Sequence, residues 1–186
     1  MLQIIVPARK EHDLWDEERQ EFIPIPATKE QKLQLEHSLI ALSKWESKWC
    51  KPFFSKIEKT NEEVIDYIRC MTITTNVKPE IYYALTNKNI TEVMNYINAD
   101  MTATTFSDKK RGNGSREKIT SELIYYWMIA FNIPFECEKW HLNRLLTLIR
   151  ICEIKNEPQK KMSKGELASR NRALNAARKA KLQSHG

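Results

Sequence analysis

The chain has 186 residues, of which 41% are apolar and 29% are charged, as in globular domains rather than disordered chains. Four glycines are few for a sheet-rich fold, which needs many turns, so the composition favours helices. The longest nearly continuous apolar run, residues 123–133, is too short to cross a membrane. We therefore predict a mainly α protein: a helical bundle with a small N-terminal β-hairpin or arm and a basic C-terminal helix.

The net charge of +6 is concentrated at the C-terminus. Residues 159–186 carry eight Lys and Arg side chains against one acid, Glu166, whereas the rest of the chain holds 22 basic and 23 acidic side chains. The body is therefore close to neutral, and the basic character belongs to the tail. Four cysteines at irregular spacings, with no CxxC pair, indicate free thiols in a reducing compartment.

The N-terminal segment, residues 1–27, has two short runs rich in β-branched residues, at 2–6 and 21–25. Three prolines punctuate these runs, and because proline cannot donate to a ladder, the runs would be edge strands. The charged stretch between them, residues 9–20, would form the tip of a small hairpin or arm.

The segment 28–156 carries apolar residues at helical spacing and is predicted to be the helical body. Helices are predicted over residues 29–49, 115–131 and 135–154. Three further helices are predicted to start at Thr60, where Glu63 completes a capping box, at Pro79, and at Asn89, which caps its helix with Glu92. A polar internal loop is predicted at 99–116. The helix over 115–131, capped by Ser115, is apolar on most of its circumference, which predicts a central position. Its short link to the next helix predicts an αα-hairpin.

The tail, residues 157–186, follows Pro158 and begins with a capping box of Ser163 and Glu166. A helix is predicted to about Leu182, with a narrow apolar stripe that makes it marginal by itself. Candidate partner-binding residues on this helix are Leu167, Arg170, Arg172, Leu174, Arg178, Lys179 and Lys181. Three interpretations remain open: contact with a phosphate backbone, docking in an acidic groove, and a solvated terminus.

Residues for catalysis or metal binding are not found in a recognisable pattern. GxSxG and GxxxxGK[ST] motifs are absent, and a basic loop at 109–114 has no preceding strand. Cys137 and His141 have the spacing of two metal ligands, but no second pair completes a zinc site, so ordinary packing is favoured. We predict no enzyme activity and no cofactor. Phe53 and Phe54 follow Pro52 in a loop, and an exposed aromatic pair there would contact a protein partner.

Several segments resemble a family of tailed-bacteriophage proteins, similar to the tail assembly chaperones of long-tailed phages. They are residues 35–49 (LEHSLIALSKWESKW), 101–106 (MTATTF), 124–129 (IYYWMI), 133–137 (IPFEC), 140–146 (WHLNRLL), 161–164 (KMSK), 169–172 (SRNR) and 174–177 (LNAA). The resemblance implies a helical, non-enzymatic protein of the host cytoplasm. Such a protein would bind the tape measure protein, or other tail proteins, and shield its apolar surface during assembly of the tail.

The basic tail departs from that family, in which many members carry an acidic or disordered extension. A structural role in the virion, and nucleic-acid binding through the tail, therefore stay open as alternatives. A homo-oligomer also stays open, and a membrane partner is not expected.

Overall fold

The computed structural model describes residues 1–16, 20–106, 118–156 and 164–182. Its strands are β1 (Leu2–Val6), β2 (His12–Asp16), β3 (Glu21–Ile25) and β4 (Gln31–Leu35). Its α-helices are α1 (Leu39–Trp49), α2 (Asn61–Met71), α3 (Glu80–Tyr83), α4 (Asn87–Asn98), α5 (Ser121–Ala130), α6 (Leu142–Asn156) and α7 (Lys164–Leu182). A 3-10 helix, Phe135–Lys139, precedes α6. The prediction of a mainly helical chain is confirmed.

The N-terminal strands pair in one continuous antiparallel register. β1 pairs with β4, β2 pairs with β3, and an isolated bridge from Arg9 to Thr28 joins the two ladders. The two residue numbers of every pair add up to the same sum, in both ladders and in the bridge. The register therefore does not shift between the ladders, and the four strands form one long two-stranded ribbon. The predicted pairing of 2–6 with 21–25 is wrong, because residues 12–16 of the charged stretch form the strand opposite 21–25.

The helix predicted over 29–49 is wrong in nearly half of its length, residues 29–38. Residues 31–35 form β4, in which Leu33 and Leu35 alternate with exposed side chains and pack beside the buried Ile4 and Val6 of β1. A period of two therefore replaces the helical period wherever a partner strand is present. Helix α1 begins at Leu39, where the Ser38 hydroxyl accepts from the backbone N–H of Ala41 at 3.3 Å.

Helix α1 lies between two apolar cores. One core combines its Ala41 and Trp45 with β1, β4 and α2–α4. The other combines its Leu39 and Leu42 with α5 and α6. Among the tryptophans of the helical body, Trp45 is buried, and Trp49, Trp127 and Trp140 are partly buried. Two faces of one short helix therefore organise the described part of the body.

The capping predictions succeed in some helices and fail in others. The Thr60–Glu63 capping box of α2 is confirmed, with both reciprocal bonds present. Helix α4 starts earlier than predicted, because Thr86 and Asn89 form the capping box. Helix α5 starts at Ser121 and its cap is Thr120; the predicted cap Ser115 lies outside the described residues. In each case a polar side chain satisfies a backbone N–H of the first turn.

The helix predicted over 135–154 is interrupted. After the 3-10 helix, Trp140 is extended and α6 begins anew at Leu142. The backbone N–H of Leu142 donates to the carbonyl of His37 at 2.7 Å, and His141 Nδ1 accepts from the backbone N–H of Asn143 at 3.3 Å. These two bonds restart the helix, so contacts with the β4–α1 connection decide its first residue.

The chain forms two compact units, residues 1–153 and 154–186. Helix α7 belongs to the second unit, and each of its side chains that the structure describes is exposed. The capping box predicted from Ser163 and Glu166 lies outside the described side chains. Among the helices that the structure describes, none has the length and apolar character needed to span a membrane.

Candidate functional site

The predicted aromatic pair, Phe53 and Phe54, is held by a buried carboxylate. Cys50 ends α1 in a left-handed conformation (φ 50°), which turns the chain towards these residues. The backbone N–H of Phe53 then donates to Glu46 Oε1 at 2.7 Å. The other oxygen, Glu46 Oε2, accepts from the backbone N–H of Ser121 at 2.7 Å. A single carboxylate therefore positions the Phe53 loop and the first residue of α5 together.

The two phenylalanines differ in environment. The Phe53 ring packs against Tyr67 at a centroid distance of 4.1 Å and edge-on against Trp45 at 5.2 Å. Lys59 Nζ lies 4.3 Å from the Phe53 ring centroid and donates to the Phe53 carbonyl at 2.7 Å. Phe54 is 42% exposed and meets Phe53 edge-on. Phe53 is therefore a structural support, and Phe54 is the member of the pair available to a partner.

Both phenylalanines line a cleft of about 380 Å³. Its apolar lining comes from the Phe53 loop, α2 and α4, and its polar lining includes His37 and Tyr67. The apolar lining residues are Phe53, Phe54, Val64, Ile68, Val93, Met94 and Ile97. Met94 is 44% exposed, so the cleft has an accessible apolar edge at α4 as well as at Phe54. The arrangement suits an apolar group with a few polar contacts.

The polar wall of the cleft is a His–Tyr pair. The Tyr67 hydroxyl and His37 Nδ1 share a hydrogen bond of 2.6 Å, and both side chains are buried. Burial lowers the pKa of His37 to about 3, and the nearby His141 acts in the same direction. Burial also raises the pKa of Tyr67 well above its usual value. Both groups thus stay neutral near neutral pH, which suits a fixed polar wall better than proton transfer.

This buried histidine makes stability depend on pH. His37 stays neutral in the folded protein, whereas its unfolded counterpart binds a proton below about pH 6.5, so the free energy of unfolding should fall from there towards pH 3. The slope from this group approaches about 1.4 kcal/mol per pH unit. Urea unfolding at pH 7.5, 6.5 and 5.5 measures it. His37→Gln should flatten the slope, and an unchanged slope in that variant would contradict the assignment.

His141 belongs to a second polar network beside the cleft. Its Nδ1 accepts from the start of α6, so its Nε2–H donates to the carbonyl of Tyr96 at 3.0 Å. The Tyr96 hydroxyl donates to Glu36 Oε1 at 2.7 Å, and the N-terminal amine of Met1 pairs with Glu36 Oε2 at 3.0 Å. This network connects α4 to the N-terminal ribbon and to α6. His141 therefore caps the start of α6.

The other member of the suggested ligand pair, Cys137, is buried in the 3-10 helix. Both ring nitrogens of His141 are engaged by backbone groups, which leaves this side chain with no free nitrogen for a metal ion. Among the residues that the structure describes, no three His, Cys, Asp or Glu side chains lie together as a metal site.

The tail candidates share one helix, α7, in the second compact unit. Leu167 is 49% exposed and Leu174 is 45% exposed. The basic candidates Arg170, Arg172, Arg178, Lys179 and Lys181 are exposed as well. The structure therefore places the sequence-predicted residues in two groups, with Phe53 and Phe54 in one unit and the tail residues in the other.

Sequence reasoning missed most of the cleft. His37 comes from the connection between β4 and α1, Tyr67 from α2 and Met94 from α4, and no motif connects them. Each appears in the sequence as an ordinary helical or capping position. Glu46 was likewise hidden in a helical pattern, where an acid normally signals a solvated face; its burial could not be read from local spacing.

Comparisons with known proteins return no match to any family model, curated protein or solved structure. The resemblance to phage tail assembly chaperones thus rests on the sequence segments quoted above, and the functional proposal rests on these segments together with the geometry of the cleft.

Proposed function

We propose that this protein is a non-enzymatic assembly chaperone of a long-tailed bacteriophage, and that its cleft holds an apolar segment of the tape measure protein. The observation that carries the proposal is the preformed apolar cleft with the exposed Phe54 and Met94 at its edge. Exposed aromatic and methionine side chains beside a concave apolar surface are typical of protein-binding sites. The family resemblance supplies the identity of the partner.

The charge of the cleft supports an apolar occupant. Among the lining residues that the structure describes, Lys59 alone carries a charge at neutral pH. Its Nζ already donates to the Phe53 carbonyl, and burial lowers its pKa. A charged peptide would find little to pair with there, whereas an apolar helix or strand would be removed from water against Phe54, Met94 and Ile97. Shielding of apolar surface is what a tape measure chaperone must do.

The rigidity of the cleft also supports a binding role. Phe53 is held at its N–H by Glu46, at its carbonyl by Lys59, and at its ring by Tyr67. On the opposite side, Asn143 Nδ2 donates to the carbonyls of Ile97 and Ala99, each at 2.9 Å, and so fastens the end of α4. A cleft organised before binding costs less ordering entropy when the partner arrives.

The test is co-expression with the tape measure protein followed by pull-down. Phe54→Asp and Met94→Asp place a charge at the apolar edge, and each should reduce the recovered complex about tenfold or more. Ile57→Asp is the matched control, because Ile57 is 75% exposed in the same loop and does not line the cleft. It should bind as the unaltered protein does, and circular dichroism should show all three variants folded.

Two outcomes would overturn the proposal. One is a complex that survives both cleft substitutions at full yield. The other is a complex lost on nuclease treatment of the lysate, which would indicate bridging by nucleic acid and favour the basic, exposed helix α7 as the binding element.

A further inference from the structure

Helix α7 concentrates positive charge on an exposed surface. By sequence, residues 167–182 contain five Lys and Arg side chains and no Asp or Glu. All five of these side chains are exposed. Like charges along one helix repel each other, so this composition weakens the helix by itself and favours an anionic partner.

Four of the five cations form two rows on opposite sides of α7. Consecutive residues of an α-helix lie about 100° apart around its axis. On this geometry Arg170 and Lys181 lie within about 20° of each other, and so do Arg172 and Lys179. The two pairs are about 180° apart around the axis. We call Arg170 with Lys181 the first row, and Arg172 with Lys179 the second row.

The two faces between these rows differ in chemistry. On one face Asn171, Asn175 and Arg178 lie within about 60° of one another, roughly midway between the rows. Asparagine amides and the arginine guanidinium are the groups that bond the edges of DNA bases in many complexes. The opposite face carries small side chains, which are Ser169, Ala173, Ala176 and Ala180. The helix therefore presents a hydrogen-bonding face that is flanked by cations on both sides.

We propose that α7 binds duplex DNA by entering the major groove, where its two rows pair with the phosphates of the two strands. The major groove of B-DNA is about 12 Å wide and admits an α-helix, whose diameter with side chains is about 10–12 Å. A helix in that groove has base edges in front of it and a phosphate backbone on either side. Asn171, Asn175 and Arg178 would face the base edges, while the two rows fix the position of the helix on the duplex.

The second row favours DNA over an acidic protein groove. A groove on a protein covers one side of a docked helix, and its apolar anchors would be Leu167 and Leu174. Both leucines lie near the first row, so Arg172 and Lys179 would stay in water. Duplex RNA is also disfavoured, because the major groove of an A-form helix is too deep and narrow for side chains to read.

Fluorescence anisotropy of the full chain with a labelled DNA duplex tests the proposal. Four phosphate contacts should give a slope of about −4 when log K is plotted against log salt between about 50 and 200 mM. Arg170→Gln with Lys181→Gln removes the first row, and Arg172→Gln with Lys179→Gln removes the second. Each pair should reduce the slope by about 2 and weaken binding about tenfold or more at 0.1 M salt. Glutamine is a good helix former, so α7 should persist, as circular dichroism would verify.

Lys32→Gln with Lys88→Gln is the matched control, because it removes the same charge from exposed positions of β4 and α4. This pair should leave the slope unchanged, and an equal loss would assign the binding to the body. A slope that responds to the first row alone would overturn the major-groove arrangement and indicate one-sided docking. Duplex RNA bound as tightly as DNA would overturn it too, and absence of DNA binding would overturn the proposal as a whole.

The proposal does not depend on the cleft or on the tape measure protein. None of the substituted residues lines the cleft. The row variants should therefore recover the tape measure protein as the unaltered chain does, which separates failure of DNA binding from failure of the chaperone proposal.

Discussion

Trp45→Ala is expected to lower the free energy of unfolding by about 4 kcal/mol, the middle of the range for truncation of a buried aromatic residue. Trp45 is 1% exposed in the first core. Its ring packs edge-on against Phe53 and Tyr67, and its Nε1–H donates to the Glu63 carbonyl at 2.9 Å. Truncation would leave a cavity and remove the hydrogen bond to the Glu63 carbonyl. Urea unfolding monitored by far-ultraviolet circular dichroism measures the loss.

Trp15→Ala is the matched control for this substitution. Trp15 is 48% exposed in β2 and meets Phe22 of β3 edge-on. Its removal should cost about 1 kcal/mol or less, since a cross-strand aromatic pair at the surface contributes that much. Equal losses for the two tryptophans would contradict the assignment of Trp45 to the core.

Glu46→Gln is expected to cost about 2–3 kcal/mol, although it changes a single atom of the side chain. The two carboxylate oxygens accept from the backbone N–H groups of Phe53 and Ser121, and the residue is 7% exposed. An amide has one acceptor oxygen, so one of the two N–H groups would face an NH₂ group instead. Urea unfolding measures the cost, and amide hydrogen exchange at Phe53 and Ser121 identifies the bond that is lost.

Glu58→Gln provides the control, because Glu58 lies exposed in the loop before α2. Its effect should stay within about 0.5 kcal/mol, as for surface substitutions generally. If Glu46→Gln were equally mild, with unchanged exchange at both amides, the carboxylate would not be the link described here.

The position of Glu46 affects how the binding proposal is tested. It joins the loop that carries Phe54 to the start of α5. A change at Glu46 would therefore disturb the cleft and the packing of α5 together. Surface substitutions such as Phe54→Asp are needed to test partner binding without a change in the fold.

Elements that depend on neighbours in sequence were predictable. The mainly helical character, the Thr60–Glu63 capping box and the loop position of Phe53 and Phe54 follow from periodicity, capping chemistry and Pro52, all of which act over a few residues. The positive charge of the tail is likewise a property of residues 159–186 themselves.

The tertiary structure decided the features that depend on contacts between residues far apart in the sequence. Residues 31–35 became a strand because β1 lies beside them, and α6 restarted at Leu142 because the His37 carbonyl accepts its N–H. The polar wall of the cleft forms because His37 and Tyr67, which are 30 positions apart in the sequence, are hydrogen-bonded. Glu46 accepts from the backbone N–H of Ser121, which is 75 positions away. Local sequence determined where helices can form. Hydrogen bonds and packing between distant segments decided which apolar faces were covered. They left one face of α5, with Tyr126 and Ile129, open to water, although the sequence of this helix predicts a central position.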